Sequence, residues 1–148
     1  MTQFVYAFNE GNIAMKDLLG GKGANLSEMK RLGLPVPDGF TITTEACITY
    51  LKQNEELPTE VKTQLIDHLA AFSKRTGKAF SSDDNLLLVS VRSGAKISMP
   101  GMMDTILNLG LNDDNVKKLV DKTNDARFHM IVTFVYYKCL ERLFMVFQ

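Results

Sequence analysis

The segment LLGGKGANL, residues 18–26, carries three glycines within four positions. Because glycine has no Cβ, such a segment can turn sharply and let the backbone approach another group closely. Apolar residues then recur at helical spacing as far as Leu32, and Gly33 follows as a typical helix stop. The pattern predicts a glycine-rich loop that leads into a short amphipathic helix.

The rest of the chain alternates short strand patterns with helix patterns. A helix after Pro58 has the most regular pattern, because its apolar residues recur at steps of three and four along one face. These are Val61, Leu65, Leu69 and Phe72, and Ile66 is expected to widen the stripe. The other predicted elements are a strand at 4–8, a short strand at 39–44, a helix at 45–52 capped by Thr43 or Thr44, a buried strand at 86–91, a strand from 105 to 109, a helix at 112–123 with Val116, Leu119 and Val120 inward, and a buried apolar helix at 128–147. This order predicts an α+β fold.

The charge balance excludes two classes of partner. Seventeen basic residues face seventeen acidic ones, so the net charge is zero and there is no basic surface for binding nucleic acid or an anionic membrane independently of sequence. The longest uncharged run near the end of the chain, residues 129–137, is far shorter than the roughly 18 residues of a membrane span.

The first residues carry no signal-peptide pattern, so we expect a cytoplasmic protein. Two cysteines without a zinc-type spacing predict no disulfide framework and no metal site.

Lys22 is the first candidate binding residue, since it lies between Gly21 and Gly23. Successive amides without Cβ atoms can converge on an anion, and a lysine among them can hold a phosphate. The spacing fits neither a P-loop nor a dinucleotide-binding fingerprint. On spacing alone, a glycine turn that carries a surface lysine remains the alternative.

Arg92 is the second candidate, at the end of the predicted strand LLLVSV and before Ser93 and Gly94. A guanidinium at the rim of a sheet can hold phosphate oxygens in a bidentate fork. The alternative is an ion pair with Asp83 or Asp84. Two glycine-adjacent cations, each beside the end of a strand or helix, favour a polyphosphate ligand.

Other polar and sulfur-containing residues have a structural interpretation beside a functional one. His68 and His129 lie in helix patterns without a nucleophile motif, so both are interpreted as structural. The methionines of the glycine-containing stretch 93–104 suit either an adenine slot or ordinary core filling. These are Met99, Met102 and Met103.

Three segments together resemble the N-terminal, nucleotide-binding region of the pyruvate, phosphate dikinase family. They are FNEGN (8–12), LLGGKGANLSEMKRLGLPVPDGFTITTEAC (18–47) and VSVRSGAKISMPGMMDTILNLGLND (89–113). The resemblance covers residues 4 to about 128 in order. The sister family of phosphoenolpyruvate synthases usually differs at both glycine signatures, where Gly23, Gly94 and the MPGMMDT segment agree with the dikinases.

The resemblance implies the first lobe of an ATP-grasp fold, with a mixed sheet and packed helices. It implies an enzyme that converts ATP, pyruvate and phosphate to AMP, phosphoenolpyruvate and diphosphate, with Mg²⁺ as cofactor. By motif position, Lys22 and Arg92 bind the ATP phosphates, and Gly101 and Met103 belong to the loop beside the nucleotide. The resemblance assigns residues 1–128 to the lobe and 129–148 to a divergent apolar helix of the same domain.

The same resemblance places the magnesium ligands, the phosphate-carrying histidine and the pyruvate site beyond these 148 residues. We therefore expect no catalytic residue and no metal ligand within the chain, and no turnover by the chain alone. The apolar helix is expected to associate with another copy through residues 130–147, or with missing C-terminal domains. The alternatives are a catalytically silent remnant, a regulatory anion-binding module, or a fragment of a phosphoenolpyruvate synthase.

Overall fold

The computed structural model describes residues 2–80, 85–94 and 105–146, with side chains as far as residue 140. These residues fall into two compact units. Residues 2–76 and Gly94 form the first unit, and residues 77–80, 85–93 and 105–146 form the second. The predicted α+β class is confirmed, because helices surround small antiparallel sheets.

The first unit combines a two-stranded sheet with three helices. Strand β1, Val5–Ala7, runs antiparallel to β2, Phe40–Ile42, with Val5 opposite Ile42 and Ala7 opposite Phe40. The helices are α1 (Lys16–Arg31), α2 (Thr44–Lys52) and α3 (Thr59–Thr76), and a short 3-10 helix, Ile13–Met15, precedes α1. The strands at 4–8 and 39–44 were therefore predicted correctly.

Successive residues of β2 face different helices, as the period of two in a strand requires. Phe40 packs toward α3, where its ring lies 6.4 Å from the ring of Phe72 in an edge-on arrangement and 5.9 Å from that of His68. Thr41 contacts α1 at Gly23. The small sheet of the first unit therefore has α3 on one face and α1 on the other.

The core of the first unit joins β1 to α2 and α3. Phe4, Ala46 and Val61 are buried together, with Leu57 packed against them. Gln64 of α3 ties the beginning of β1 in place, because its Oε1 accepts hydrogen bonds from the backbone N–H of Phe4 at 2.7 Å and Val5 at 3.2 Å. These contacts fix α3 against the sheet.

Local sequence signals placed α2 and α3 correctly, with one exception. Thr43 caps α2, as predicted, because its side chain accepts a hydrogen bond from the backbone N–H of Ala46. Val61 and Phe72 are buried on α3, but Ile66 is 64% exposed, so the prediction that it widens the apolar stripe is wrong. At 3.6 residues per turn Ile66 lies about 140° around the helix from Val61 and misses the buried face.

The second unit contains the other antiparallel pair. Strand β3, Val89–Arg92, pairs with β4, Thr105–Leu109, with Val89 opposite Leu109 and Arg92 opposite Thr105, and the register shifts between Val89 and Val91. The strand at 105–109 is as predicted. Two separate antiparallel pairs form where one mixed sheet was expected, and the one parallel pairing among the described residues is an isolated bridge between Ala79 and Leu86.

The run LLLVSV is less buried than its composition suggested. Leu87 is 3% exposed, whereas Val91 is 46% exposed. Among the described residues β3 pairs with β4 alone, so it is not the central strand that a continuous apolar run indicates. The prediction of a buried strand at 86–91 is therefore wrong in part: the strand begins only at Val89 and is not buried, and the buried Leu87 precedes it.

Helices α4, Asp113–Thr123, and α5, Ala126–Val146, complete the second unit. Asn112 and Asn115 form a capping box at the beginning of α4. His129 is 7% exposed and its Nε2 lies 2.7 Å from the Oγ1 of Thr123, which agrees with the structural interpretation of this histidine.

The predicted apolar helix at 128–147 forms, but its described part is not buried. Five large side chains between residues 128 and 137 are 48–69% exposed: Phe128, Met130, Ile131, Phe134 and Tyr137. An apolar helix is expected to pack against another element or another protein. Within the described residues, much of the apolar surface of α5 is not packed against anything. No helix in the described part of the chain is long and apolar enough to cross a membrane.

Candidate functional site

Lys22 lies on helix α1, which corrects the predicted glycine-rich loop. The helix runs from Lys16 to Arg31, and within it only Gly20 leaves the helical conformation, with φ 70° and ψ 166°. Gly21 and Gly23 adopt helical geometry, although glycine is less favourable than alanine inside a helix. Lys22 therefore lies in the first helical turn after the kink at Gly20, and its side chain is half-buried.

The structure gives a different answer for each of the three glycines around Lys22 when one asks whether the position requires glycine. Gly20 has the positive φ that L-residues rarely adopt, and Gly23 is buried so closely against Thr41 that a Cβ would lie 2.7 Å from the threonine Cγ2. Gly21 has neither reason, because its φ is not positive and, apart from its chain neighbours and the backbone of its own helix, no described atom lies within 4 Å of where its Cβ would be. The helix surface at Gly21, beside Lys22, is open.

Arg92 is the last residue of β3 and its side chain is exposed. Among the residues that the structure describes, it makes no ion pair and no side-chain hydrogen bond. Gly94, two positions on, resembles Gly21, since no described atom lies within 4 Å of its Cβ position and its φ is not positive. The proposed alternative partners Asp83 and Asp84 lie outside the described residues.

The predicted site residues fall into different parts of the chain. Lys22 belongs to the first unit and Arg92 to the second. Gly101 and Met103 lie outside the described residues, as does the stretch 95–104 that contains them. The surroundings of Lys22 are therefore described within the first unit, and those of Arg92 within the second.

A second charged group, which the sequence did not predict, surrounds Asp38 in the first unit. Its Oδ1 lies 2.9 Å from the Nζ of Lys30, and its Oδ2 lies 3.7 Å from the Nε of Arg75. Phe8, Asn9 and Gly39 complete a cleft of about 120 Å³. Pockets for drug-sized ligands span roughly 300–1,000 Å³, so this cleft is too small for a nucleotide.

The ion pairs at Asp38 make a testable contribution to stability. The hydrogen bond from Lys30 is the main cause that lowers the pKa of Asp38, and the charge of Arg75 adds to it. A lowered folded-state pKa stabilises the protein above the ordinary pKa of aspartate, and this stabilisation is lost as the pH falls through the folded value. Asp38→Asn should therefore destabilise the chain at neutral pH and have a smaller effect as the pH falls.

The size of this effect is limited by water, since the side chains of Lys30 and Asp38 are each 35% exposed. We expect a difference of less than about 1 kcal/mol between wild type and Asp38→Asn at neutral pH. Urea unfolding at neutral pH and at about pH 3 measures it. Asp67→Asn, at an exposed position of α3, is the control. A loss of equal size at both pH values would contradict the ion-pair assignment.

The described residues offer no metal-binding group. No three His, Cys, Asp or Glu side chains lie close enough together, in residues 2–80, 85–94 and 105–140, to hold an ion. No ligand for Mg²⁺ is therefore assigned to these residues.

Comparison with known proteins shows which family the chain matches. The family model described as pyruvate phosphate dikinase, AMP/ATP-binding domain, matches residues 16–56 and 53–144, so the match continues beyond residue 128. The pyruvate, phosphate dikinase of Clostridium symbiosum is 52% identical over 128 residues, which is 86% of this chain and 15% of the relative. The enzyme of the same name from Entamoeba histolytica is 52% identical over 126 residues, or 85% of this chain and 14% of the relative. The pyruvate, phosphate dikinase of Rhizobium meliloti is 50% identical over 132 residues.

The chain thus spans about 15% of the length of the curated relatives that it matches. The matched regions include both Lys22 and Arg92. Because the family model covers most of the sequence and the relatives share about half of the matched residues, the chain belongs to the family of the pyruvate phosphate dikinase AMP/ATP-binding domain.

Proposed function

We propose that this chain provides the ATP-binding N-terminal part of a pyruvate, phosphate dikinase, and that Lys22 and Arg92 bind the ATP phosphates. The observation that carries this proposal is the open surface beside each cation. Gly21 and Gly94 have no positive φ that requires glycine, and a group placed at either Cβ position would meet no described side chain within 4 Å. The match to an AMP/ATP-binding domain supports a nucleotide as that ligand.

The two cations suit different parts of this task. The Lys22 ammonium is a compact charge on a flexible stem, whereas the Arg92 guanidinium is a planar fork that can hold two phosphate oxygens at once. Both would offset the negative charge that phosphoryl transfer spreads over the phosphate oxygens. Backbone amides at Gly21 and Gly94 can approach the same oxygens, because no Cβ stands in the way.

The remaining parts of the proposal concern the whole enzyme. It would transfer the β-phosphoryl group of ATP to a histidine and then to pyruvate, while inorganic phosphate accepts the γ-phosphoryl group, which yields AMP, phosphoenolpyruvate and diphosphate. Mg²⁺, held by residues beyond this chain, would offset phosphate charge. Gly101 and Met103 would lie beside the nucleotide, and the chain would form the first lobe of an ATP-grasp fold. The nucleotide-binding family match and the α+β architecture support this assignment.

Gly21→Ala separates a binding role from a structural role at the open helix surface. Alanine should raise the free energy of unfolding by roughly 0.5–1 kcal/mol, because it favours a helix and meets no neighbour. The same methyl group should weaken ATP binding by about tenfold or more, because it displaces phosphate from the helix surface. Titration calorimetry with ATP and urea unfolding measure the two effects.

Lys22→Ala should weaken ATP binding in the same titration, and Lys62→Ala, at an exposed lysine of α3, serves as the charge-matched control.

With ATP, pyruvate and phosphate present, the chain alone should form neither AMP nor phosphoenolpyruvate. A wild-type chain that binds no ATP would contradict the proposed function. Gly21→Ala with unchanged affinity would contradict the role of the open surface.

A further inference from the structure

Helix α1 lies very close to strand β2 at Gly23, immediately after Lys22. Gly23 is buried, and a Cβ at this position would lie 2.7 Å from Cγ2 and 2.8 Å from Oγ1 of Thr41. Such distances are shorter than ordinary carbon contacts by more than half an ångström. The backbone of α1 therefore lies directly against the Thr41 side chain.

Thr41 is a rigid support for this contact. Its β-branched side chain has few accessible rotamers, so it cannot swing aside easily. Its backbone is held in β2, where Thr41 lies opposite Tyr6 of β1. The neighbouring Phe40 is in turn anchored to α3 through Phe72 and His68. A displacement at this contact is therefore expected to move α1 rather than β2.

We infer that Thr41 is a positioning residue for ATP binding: it fixes the height of α1 above the sheet and thereby the place of the Lys22 ammonium. This inference rests on the proposed role of Lys22. Lys22 immediately precedes Gly23 in the chain, and only Gly21 separates it from the Gly20 kink, so a shift of α1 at Gly23 would carry Lys22 with it. A misplacement of about 1 Å can cost a binding or catalytic group up to roughly 100-fold in effect.

A size exchange between the two positions tests the inference. Gly23→Ala should lower the ATP affinity by about tenfold or more, because the added methyl group pushes α1 away from Thr41. Thr41→Ala removes the two atoms closest to this methyl group and leaves the milder contact with the Cβ of Leu19 at 3.3 Å. The double variant should therefore restore the affinity to within about threefold of wild type, as coupled neighbours do in a double-mutant cycle.

Two further variants separate positioning from general stability. Gly39→Ala adds a comparable clash in the same unit, because its Cβ would lie 2.5 Å from the ring of Phe8, and the three atoms nearest to that Cβ all belong to Phe8 rather than to α1. It should lower the melting temperature without changing the ATP affinity measured well below that temperature. Thr41→Val keeps the shape of the side chain and should keep the wild-type affinity, whereas Thr41→Ala alone should lower it several-fold.

The possible results are distinct. If Gly23→Ala does not fold, the single variants Thr41→Ala and Thr41→Val decide the matter, because neither adds a clash. Equal ATP affinity of wild type and a folded Gly23→Ala, or of Thr41→Ala and wild type, overturns the inference. The inference is also overturned if the double variant regains the stability of wild type but not its ATP affinity. A wild-type chain that binds no ATP contradicts the proposed function instead.

Discussion

Replacing Arg92 with alanine should weaken ATP binding by about 1.5–3 kcal/mol, which is roughly a 10- to 150-fold loss of affinity. The physical reason is the loss of charge-assisted hydrogen bonds between a guanidinium and phosphate oxygens. Arg92 is exposed at the end of β3 and makes no ion pair within the described part of the chain, so its removal breaks no structural contact seen there. The free energy of unfolding should change by less than about 0.5 kcal/mol.

Titration calorimetry of ATP into the two proteins measures this difference. Arg127→Ala is the matched control, because it removes an exposed arginine of α5 from the same unit and lowers the net charge equally. Arg92→Lys should recover only part of the affinity, since lysine restores the charge but not the bidentate fork. If Arg92→Ala and Arg127→Ala bind ATP equally well, Arg92 is not a phosphate ligand.

Replacing Phe72 with alanine should have the largest effect on the fold of the first unit. Phe72 is 8% exposed on α3, and its ring meets the edge of Phe40 on β2. Loss of a buried phenylalanine costs about 3–5 kcal/mol, because transfer free energy and packing contacts are lost together. We expect a decrease of this size in the free energy of unfolding, measured with urea.

Ile66→Ala on the same helix is the control for this experiment. Ile66 is 64% exposed, so the change should stay within about 0.5 kcal/mol. Phe72→Leu should give an intermediate loss and keeps the comparison available if Phe72→Ala does not fold. Equal losses for Ile66→Ala and Phe72→Ala would mean that α3 packs against the sheet through a different face.

Much of the fold follows from signals that act over a few residues. The cap at Thr43 needs only one hydroxyl and a neighbouring amide, and the buried face of α3 needs only regular spacing. The burial of LLLVSV and of α5 depends on which other elements cover them, and composition does not contain that information. Ile66 is a different case: it was expected to be buried, but its position about 140° around the helix from Val61 leaves it exposed.

The sequence indicated the two cations of the candidate site, but not the contacts that other segments make with their surroundings. Lys22 stands out in the sequence because glycines flank it, and Arg92 because Gly94 follows two positions later, but glycines 20, 21 and 23 look alike in a sequence. Only the contact with Thr41, from another segment, shows that Gly23 is required by packing while Gly21 is not. The ion pairs of Asp38 with Lys30 and Arg75 likewise join three separate segments, so no local pattern indicated them.

The most direct measurement is a titration of the isotopically labelled chain with ATP, followed by the NMR shifts of backbone amides. If both cations bind one nucleotide, the amides of Gly21, Lys22 and Gly23 and those of Arg92, Ser93 and Gly94 should shift together. Both sets should also give the same dissociation constant. Shifts confined to one set, or two sets with different dissociation constants, would contradict a single ATP site that contains Lys22 and Arg92.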